Sequence, residues 1–241
     1  MKAGILQARA SRDDDGAERE ASSTPLVVLA SGSPRRRELL ALTGLTTEVR
    51  ATGADETPRP GESGRDLTRR LARHKAESGP AQGAITLSAD TTVVDRGALL
   101  GKPADADEAR QMLERLRGRT HTVVTSIAVR SPEGTVLLDT CESSVPMRHY
   151  RDSEISRYLA GDDALDKAGA YAIQDGLFDP VDRAAFTDCF ANVMGLPLCH
   201  LGRTLRRMGL DLTKEIPAAC MAHLQYDCRV YPGILEQGRD A

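Results

Sequence analysis

The stretch Leu26-Val-Val-Leu-Ala-Ser-Gly-Ser-Pro-Arg-Arg-Arg37 predicts a strand, a turn and a helix in immediate succession. The apolar run 26–30 is typical of a short buried strand. Ser33 suits the cap of the helix that follows, Pro34 suits its first position, and Gly44 can end it. The stretch therefore predicts the start of an α/β arrangement.

Strand and helix patterns alternate along the rest of the chain. Residues 109, 112, 113 and 116 are apolar at helical spacing, so the interval 107–117 is the clearest helix. Intervals 120–130 and 135–145 are rich in β-branched residues and flank a turn, which predicts a long antiparallel hairpin. The other predicted elements are strands at 46–51 and 84–87 and helices at 66–77, 152–159 and 197–208. Together they predict an α/β chain with a mixed sheet.

The chain has 241 residues, of which 40% are hydrophobic and 28% charged, and this balance supports a globular core. Segment 1–24 is acidic and lacks the apolar core of a secretory signal, so we expect a disordered leader there. We place the main domain at 25–208. The C-terminal extension, 209–241, has no clear structural pattern.

Composition excludes several classes of partner. The 32 basic and 35 acidic residues give a formal charge of −3, which argues against a nucleic-acid duplex. Five Tyr, three Phe and no Trp are too few for a platform that stacks single-stranded bases. No apolar run approaches the roughly 20 residues of a membrane helix. Five cysteines without a signal peptide predict a cytoplasmic protein with mostly free thiols.

Four of the cysteines lie in the last quarter of the chain, at positions 189, 199, 220 and 228. They could hold a metal, form a disulfide, or lie buried as small apolar thiols. Because their spacing contains no C-x-x-C, we favour the buried thiols.

The turn before the first predicted helix suits a phosphate group. Gly32 lets a ligand approach the backbone, and a helix N-terminus offers free N–H groups. Arg35, Arg36 and Arg37 add guanidinium groups, which match phosphate oxygens in pairs. The alternative is a capped surface helix with a solvated basic turn. The chain contains neither G-x-x-x-x-G-K-[ST] nor G-x-G-x-x-G, so a P-loop and a dinucleotide-binding fold have no support.

Asp90 follows the strand 84–87 within Ser88-Ala-Asp-Thr-Thr92, and we expect it where that strand ends. A carboxylate there points into the usual ligand crevice of an α/β sheet, where it could hold Mg²⁺ or act as a base toward a water. The alternative is a turn aspartate that caps local backbone. Lys102 could reach the same crevice, whereas Glu56 and Lys75, taken alone, suit surface charges.

Gln174 ends the segment Asp166-Lys-Ala-Gly-Ala-Tyr-Ala-Ile-Gln174, in which small residues flank Tyr171. Its amide can donate to and accept from one edge of a base. The alternative is an exposed polar residue on an edge strand.

The histidines show no catalytic or metal-binding spacing. We expect His121 to be packed on a strand or at its edge, and His74 to lie on the apolar side of its helix. No H-E-x-x-H and no G-x-S-x-G occurs, so a zinc protease and a Ser-His-Asp hydrolase have no support.

Six segments stand out when they are taken together: Leu29-Ala-Ser-Gly-Ser-Pro-Arg-Arg-Arg-Glu-Leu-Leu40, Ser88-Ala-Asp-Thr-Thr-Val-Val94, Gly101-Lys-Pro103, Gly118-Arg-Thr-His-Thr-Val-Val-Thr125, Asp166-Lys-Ala-Gly-Ala-Tyr171 and Asn192-Val-Met-Gly-Leu-Pro-Leu198. In this order they resemble the Maf family of nucleoside triphosphate pyrophosphatases, over about 25–208. One such motif is weak, whereas six in order are specific.

The resemblance implies an inosine-triphosphatase-like fold: a long mixed sheet in two lobes with flanking helices and a central nucleotide cleft, usually in a homodimer. It implies Mg²⁺- or Mn²⁺-dependent hydrolysis of a nucleoside triphosphate to the monophosphate and pyrophosphate. By motif position, Asp90 would be the catalytic carboxylate, and Glu56 would help it to bind the metal. The residues that would hold the triphosphate are Ser31, Arg36, Lys75 and Lys102. The positions that separate a dTTP/UTP branch from a 7-methyl-GTP branch are Arg35, Thr91 and Gln174, and we place the chain in the dTTP/UTP branch.

The chain departs from the family pattern at Ala172 and Asp175, where glycines are usual, and over 182–189. Our main hypothesis is a cytoplasmic nucleotide pyrophosphatase. One alternative is a non-catalytic or weakly catalytic regulator of cell division, since the family name comes from an effect on septum formation. Another is a nucleotide sensor that binds without cleaving. A carboxylate inside a basic pocket favours the enzyme, because a pure binding module has no need of it.

Overall fold

A mixed β-sheet forms the centre of the protein. The computed structural model describes residues 26–53, 55–79, 83–161, 163–212 and 215–237. Within them the strands are β1 (Val27–Leu29), β2 (Thr47–Val49), β3 (Ile85–Asp95), β4 (Ala98–Leu100), β5 (Thr120–Arg130) and β6 (Val136–Pro146). The sheet order is β2-β1-β3-β5-β6, with β4 paired to β3. Strand β1 is parallel to β2 and β3, and the other pairs are antiparallel. The predicted mixed α/β class and the long hairpin are confirmed.

Strand β3 organises the sheet because its two sides are paired differently. On one side it pairs with β5 from Thr86 to Val94. On the other side it pairs first with β1, over 85–87, and later with β4, over 93–95. Within the described residues, positions 88–92 on that side have no strand partner. The prediction that the strand ends at Asp90 is wrong: β5 carries the ladder on to Val94 and β3 ends at Asp95, whereas β1 pairs with β3 only as far as Leu87. Asp90 therefore lies in mid-strand, beside a gap in the sheet.

The helices are α1 (Pro34–Ala41), α2 (Gly64–Glu77), α3 (Ala106–Leu116), α4 (Asp152–Tyr158), α5 (Phe190–Val193), α6 (Leu198–Arg206), α7 (Ile216–Leu224) and α8 (Tyr231–Glu236). Five of them, α1, α2, α3, α4 and α6, agree with the predicted helices to within a few residues, whereas α5, α7 and α8 were not predicted. Ser33 occupies the predicted cap position of α1, although its side chain makes no cap hydrogen bond. No helix of the described part of the chain is long and apolar enough to span a membrane.

Helix α2 packs closely on the sheet, because small side chains lie between them. A Cβ added to Gly64 would lie 2.5 Å from Val94 Cγ2. Ala72 and Ala76 pack with Ala128 of β5 in a small fully buried cluster. The close packing brings the last turns of α2 onto β3, next to the gap. The opposite face of the sheet carries the main apolar core, which includes Leu113, Ile127 and Leu201.

The C-terminal extension contributes helices α7 and α8. Tyr226 contacts the rings of Phe186 and Phe190, and Ile216 belongs to the buried core. The boundary at 208 stays a prediction, although these contacts join the extension to the domain. The predicted leader, 1–24, lies outside the described residues.

Candidate active site

A cleft of about 780 Å³ opens beside the gap next to β3. It brings together residues from distant parts of the chain, contributed by the β1–α1 turn, α2, β3 and the loops after β4 and α4. Arg37, the third arginine of the predicted phosphate-binding turn, is exposed and does not line it. The other predicted site residues all line it, namely Ser31, Arg35, Arg36, Glu56, Lys75, Asp90, Thr91, Lys102 and Gln174. We use the term cleft for this cavity below.

The centre of the cleft holds one lysine between two carboxylates. Lys75 Nζ lies 2.7 Å from Asp90 Oδ1 and 2.6 Å from Glu56 Oε1. Lys75 is buried, so the sequence-based alternative of a surface charge is wrong for it, whereas Glu56 is exposed. Burial raises the pKa of Asp90, and the charges of Lys75 and Arg36 offset this only in part. Burial also opposes ionisation of Glu56, but the hydrogen bond from Lys75 and the charges of Lys75, Lys102 and Arg36 together outweigh it, and the pKa of Glu56 is lowered.

Arg36 is held in one orientation by three hydrogen bonds. Its Nε donates to the Gly195 carbonyl at 2.9 Å, one Nη to Ser31 Oγ at 3.0 Å, and the other Nη to Thr91 Oγ1 at 3.1 Å. A guanidinium has five N–H bonds, so one donor remains on each Nη for a ligand. Burial lowers the pKa of Arg36, and the nearby charge of Asp90 opposes that shift. The result is a fixed cationic group facing the cleft.

A buried polar network behind Arg36 was not predicted from the sequence. Thr91 Oγ1 lies 3.0 Å from Thr125 Oγ1, and Thr125 donates to the Asn192 carbonyl at 3.0 Å. Asn192 in turn donates through its side chain to the Val123 carbonyl and to Ser143 Oγ. The hydroxyl of Thr91 thus helps to hold the Arg36 guanidinium in place. Asn192 lies in a segment that carries the family resemblance, but its hydrogen-bond partners were not predicted from the sequence.

The opposite rim of the cleft carries the remaining candidates. Arg35 Nη1 lies 3.5 Å from Asp166 Oδ2, and Lys167 Nζ donates to Oδ1 of the same carboxylate at 2.8 Å. Lys102 is exposed on this side, and the structure shows no ion pair for it among the described residues. Gln174 is exposed at the rim, in a turn that follows a short 3₁₀ segment at Ala168–Ala170. Gln174 is thus exposed, as the alternative interpretation expects, but it does not lie on an edge strand.

The carboxylates suit a hard divalent cation. Two carboxylate oxygens, from Glu56 and Asp90, already converge on the single ammonium nitrogen of Lys75. Mg²⁺ is usually held by one or two carboxylates, and waters and substrate phosphates complete its octahedron. Among the described residues no group of three or more His, Cys, Asp or Glu could hold a metal unaided. The residues therefore fit a cation that is shared with a phosphate-bearing ligand.

The histidines lie outside this chemistry. His121 is buried, and its Nε2 lies 2.7 Å from Tyr171 Oη. This confirms that it is packed, and burial lowers its pKa to about 4. His74 is exposed, so its predicted place on the apolar side of α2 is wrong; that side of the helix is filled by smaller residues such as Ala72 and Ala76.

The four C-terminal cysteines line one small apolar cavity between α5, α6, α7 and α8. All are free thiols and none forms a disulfide, but only Cys189 and Cys199 are buried as the favoured interpretation predicts, whereas Cys220 and Cys228 are half-buried. Burial raises the pKa of Cys199 and of Cys220 to about 12, so both are protonated at neutral pH.

Several proteins of known family or structure are similar to this chain. A family model described as "Maf-like protein" matches residues 26–208. A dTTP/UTP pyrophosphatase of Anaeromyxobacter dehalogenans (strain 2CP-1 / ATCC BAA-258) is 46% identical over 198 residues, which cover 80% of this chain and 99% of that protein. A dTTP/UTP pyrophosphatase of Hahella chejuensis is 41% identical over 194 residues, 78% of this chain and 95% of that protein. Among solved structures, a HAM1 protein from Coxiella burnetii superposes with a TM-score of 0.37 and 18% sequence identity. The superposition covers 52% of this chain and 74% of that protein.

Proposed function

The chain belongs to the Maf family, and from this we propose that it hydrolyses nucleoside triphosphates, dTTP and UTP in preference to others, to the monophosphate and pyrophosphate. The observation that carries the proposal is the composition of the cleft. A buried carboxylate, Asp90, lies among the cations Lys75, Arg36 and Lys102. Such a site attracts a polyanion and still contains a group that can take a proton.

The cations would bind and orient the triphosphate. A nucleoside triphosphate carries about four negative charges, so its burial requires compensating positive charge. Arg36 offers its two remaining N–H donors to phosphate oxygens, and it is already oriented by its three protein contacts. Lys75 and Lys102 add point charges at the centre and the rim of the cleft. These groups would neutralise the charge that develops on the leaving pyrophosphate.

Asp90 would accept the proton of the attacking water. Water cleaves the anhydride bond between the α- and β-phosphates, its oxygen joins the monophosphate, and the bridging oxygen leaves with pyrophosphate. The raised pKa of Asp90 makes this carboxylate a better proton acceptor than an exposed aspartate. Asp90 and Glu56 would also hold a Mg²⁺ or Mn²⁺ ion, which supplies positive charge against the substrate phosphates.

The base would lie against the opposite rim. Arg35 can donate to a pyrimidine carbonyl, and Gln174 can donate to and accept from the O4/N3–H edge of thymine or uracil. Both side chains line the same cleft as the phosphate-binding cations. The homodimer implied by the family resemblance stays a prediction, and light scattering of the purified protein measures it.

The test is a panel of nucleoside triphosphates with Mg²⁺ or Mn²⁺, in which pyrophosphate release is measured. We expect dTTP and UTP to be cleaved best, and Asp90→Asn to lower kcat by about 10² or more. Asp95→Asn is the matched control, because Asp95 is also a buried, ion-paired carboxylate of β3 but does not line the cleft. Nucleotide binding without pyrophosphate release would instead support the regulator or the sensor.

A further inference from the structure

Gly195 touches the phosphate-binding arginine at a point where an added side chain would be crowded. Its carbonyl accepts from Arg36 Nε at 2.9 Å, and its φ is +98°. A Cβ built at this position would lie 3.1 Å from Thr91 Oγ1 and 3.3 Å from Arg36 Nε. Both separations are shorter than ordinary van der Waals contact, so any side chain would displace one of these groups. The position therefore requires glycine for two reasons, backbone conformation and close approach.

The backbone of Gly195 is fixed from behind. Its N–H donates to the Asn192 carbonyl at 2.9 Å, and the same carbonyl accepts from Thr125 Oγ1 at 3.0 Å. Asn192 is fully buried, and its side-chain amide donates to the Val123 carbonyl at 3.0 Å and to Ser143 Oγ at 2.9 Å. This network ties the turn after α5 to strands β5 and β6. The Gly195 carbonyl, which accepts from Arg36 Nε, is thus held in place by hydrogen bonds that lead to the sheet.

We infer that Gly195 and Thr125 are positioning residues that hold the guanidinium of Arg36 ready for the triphosphate. The inference rests on the proposed function, in which Arg36 binds phosphate. A free arginine side chain would lose rotamer freedom on binding, whereas one fixed in advance by protein acceptors does not. The two N–H bonds left on Arg36 are also kept in a defined direction. Neither Gly195 nor Thr125 needs to touch the ligand for this role.

The first experiment compares Gly195→Ala with Gly134→Ala. Gly134 lies in the β5–β6 turn with φ +95°, and nothing lies within 4 Å of a Cβ built there. Both variants carry the same kind of backbone strain, but only the first intrudes on Arg36. We expect Gly195→Ala to raise the KM for dTTP about tenfold or more, with a smaller effect on kcat, since displacement of a positioned group weakens binding steeply. Gly134→Ala should leave KM unchanged.

Two inhibitors separate positioning from a general loss of structure. Inorganic tripolyphosphate probes the phosphate-binding part of the cleft, and thymidine probes the base-binding part. In Gly195→Ala the inhibition constant of tripolyphosphate should rise by the same factor as KM, and that of thymidine should stay constant. Equal KM and tripolyphosphate inhibition in the two glycine variants would overturn the inference, as would an equal loss for both inhibitors.

Thr125→Val provides a second route if Gly195→Ala does not fold. It removes the hydroxyl that links Thr91 to the Asn192 carbonyl, and its control is Thr204→Val, a buried threonine of α6 outside the cleft. We expect KM for dTTP to rise about threefold to fivefold in Thr125→Val alone, from the loss of a positioned contact. Identical KM in both threonine variants would contradict the inference. If the wild type released no pyrophosphate, the proposed function would fail, and calorimetric binding of tripolyphosphate to the same variants would still decide the positioning role.

Discussion

Lys75 donates to Asp90 across 2.7 Å and so joins helix α2 to strand β3 inside the cleft. Only 8% of the lysine side chain and 9% of the aspartate side chain are exposed. Two buried charges of opposite sign stabilise each other only while both are present, because each would otherwise remain desolvated without compensation. The pair is therefore both a part of the site and a constraint on the stability of the domain.

We expect Lys75→Met to lower the free energy of unfolding by about 3 kcal/mol, since it leaves the Asp90 carboxylate buried and unpaired. The double variant Lys75→Met with Asp90→Asn should recover most of this loss, because the uncompensated charge is gone. Urea unfolding of the two single variants and the double variant measures the coupling.

Arg73→Met is the control for that series. Arg73 belongs to the same helix and pairs with Glu77, but both side chains are about half exposed, so its loss should cost about 0.5 kcal/mol or less. A Lys75→Met protein as stable as this control would contradict the expected effect, as would a double variant no more stable than Lys75→Met.

Gln174→Ala should reduce the discrimination between dTTP and CTP about tenfold or more. The amide is the group proposed to match the O4/N3–H edge, and CTP presents the opposite donor pattern at position 4. We expect kcat/KM to fall for dTTP and UTP and to change little for CTP. Gln111→Ala, an exposed glutamine of α3, is the control. An unchanged ratio of dTTP to CTP would remove Gln174 from base recognition.

The buried His121 should make stability depend on pH. Its pKa is lowered from 6.5 to about 4 by burial, so the unfolded chain binds a proton more readily than the folded protein between these values. The free energy of unfolding should therefore fall as pH falls through this window, by about 3 kcal/mol for this one group. His121→Gln keeps a polar partner for Tyr171 and removes the titration. The unfolding free energies of the wild type and the variant are measured from pH 7 to pH 4. The difference between them should change by about 3 kcal/mol over this range. A difference that stays constant would show that His121 does not cause the pH dependence.

The C-terminal cysteines should behave as buried thiols. Purified protein should contain no stoichiometric zinc, because no group of three or more metal-ligating side chains is present in the described residues. Cys199 and Cys220, whose pKa values lie near 12, should react slowly with a thiol reagent in the native state and rapidly after unfolding. Elemental analysis and a thiol titration check both points. One equivalent of zinc per chain would overturn the buried-thiol interpretation.

Several elements were predictable because their determinants are local. The turn and helix after 26–30 depend on Pro34 and Gly44, which fix backbone geometry within a few residues. The hairpin β5–β6 follows from two β-branched runs and the short turn between them. The end of β3 was misplaced because the length of a strand depends on its partners, and β5 lies far along the chain from it.

The sequence by itself determined which residue types are available to the cleft, since short motifs place Asp90, Arg36, Lys102 and Gln174 at recognisable positions. Only the tertiary structure decided how they act together. Lys75 became a buried partner of Asp90 because Ala72 and Ala76 let α2 approach the sheet, and the residue that they meet there, Ala128 of β5, lies far along the chain. The orientation of Arg36 comes from a carbonyl 159 residues away and a hydroxyl 55 residues away. Hydrogen bonds act over about 3 Å in space, and the chain brings such distant atoms within that range only when its core is packed.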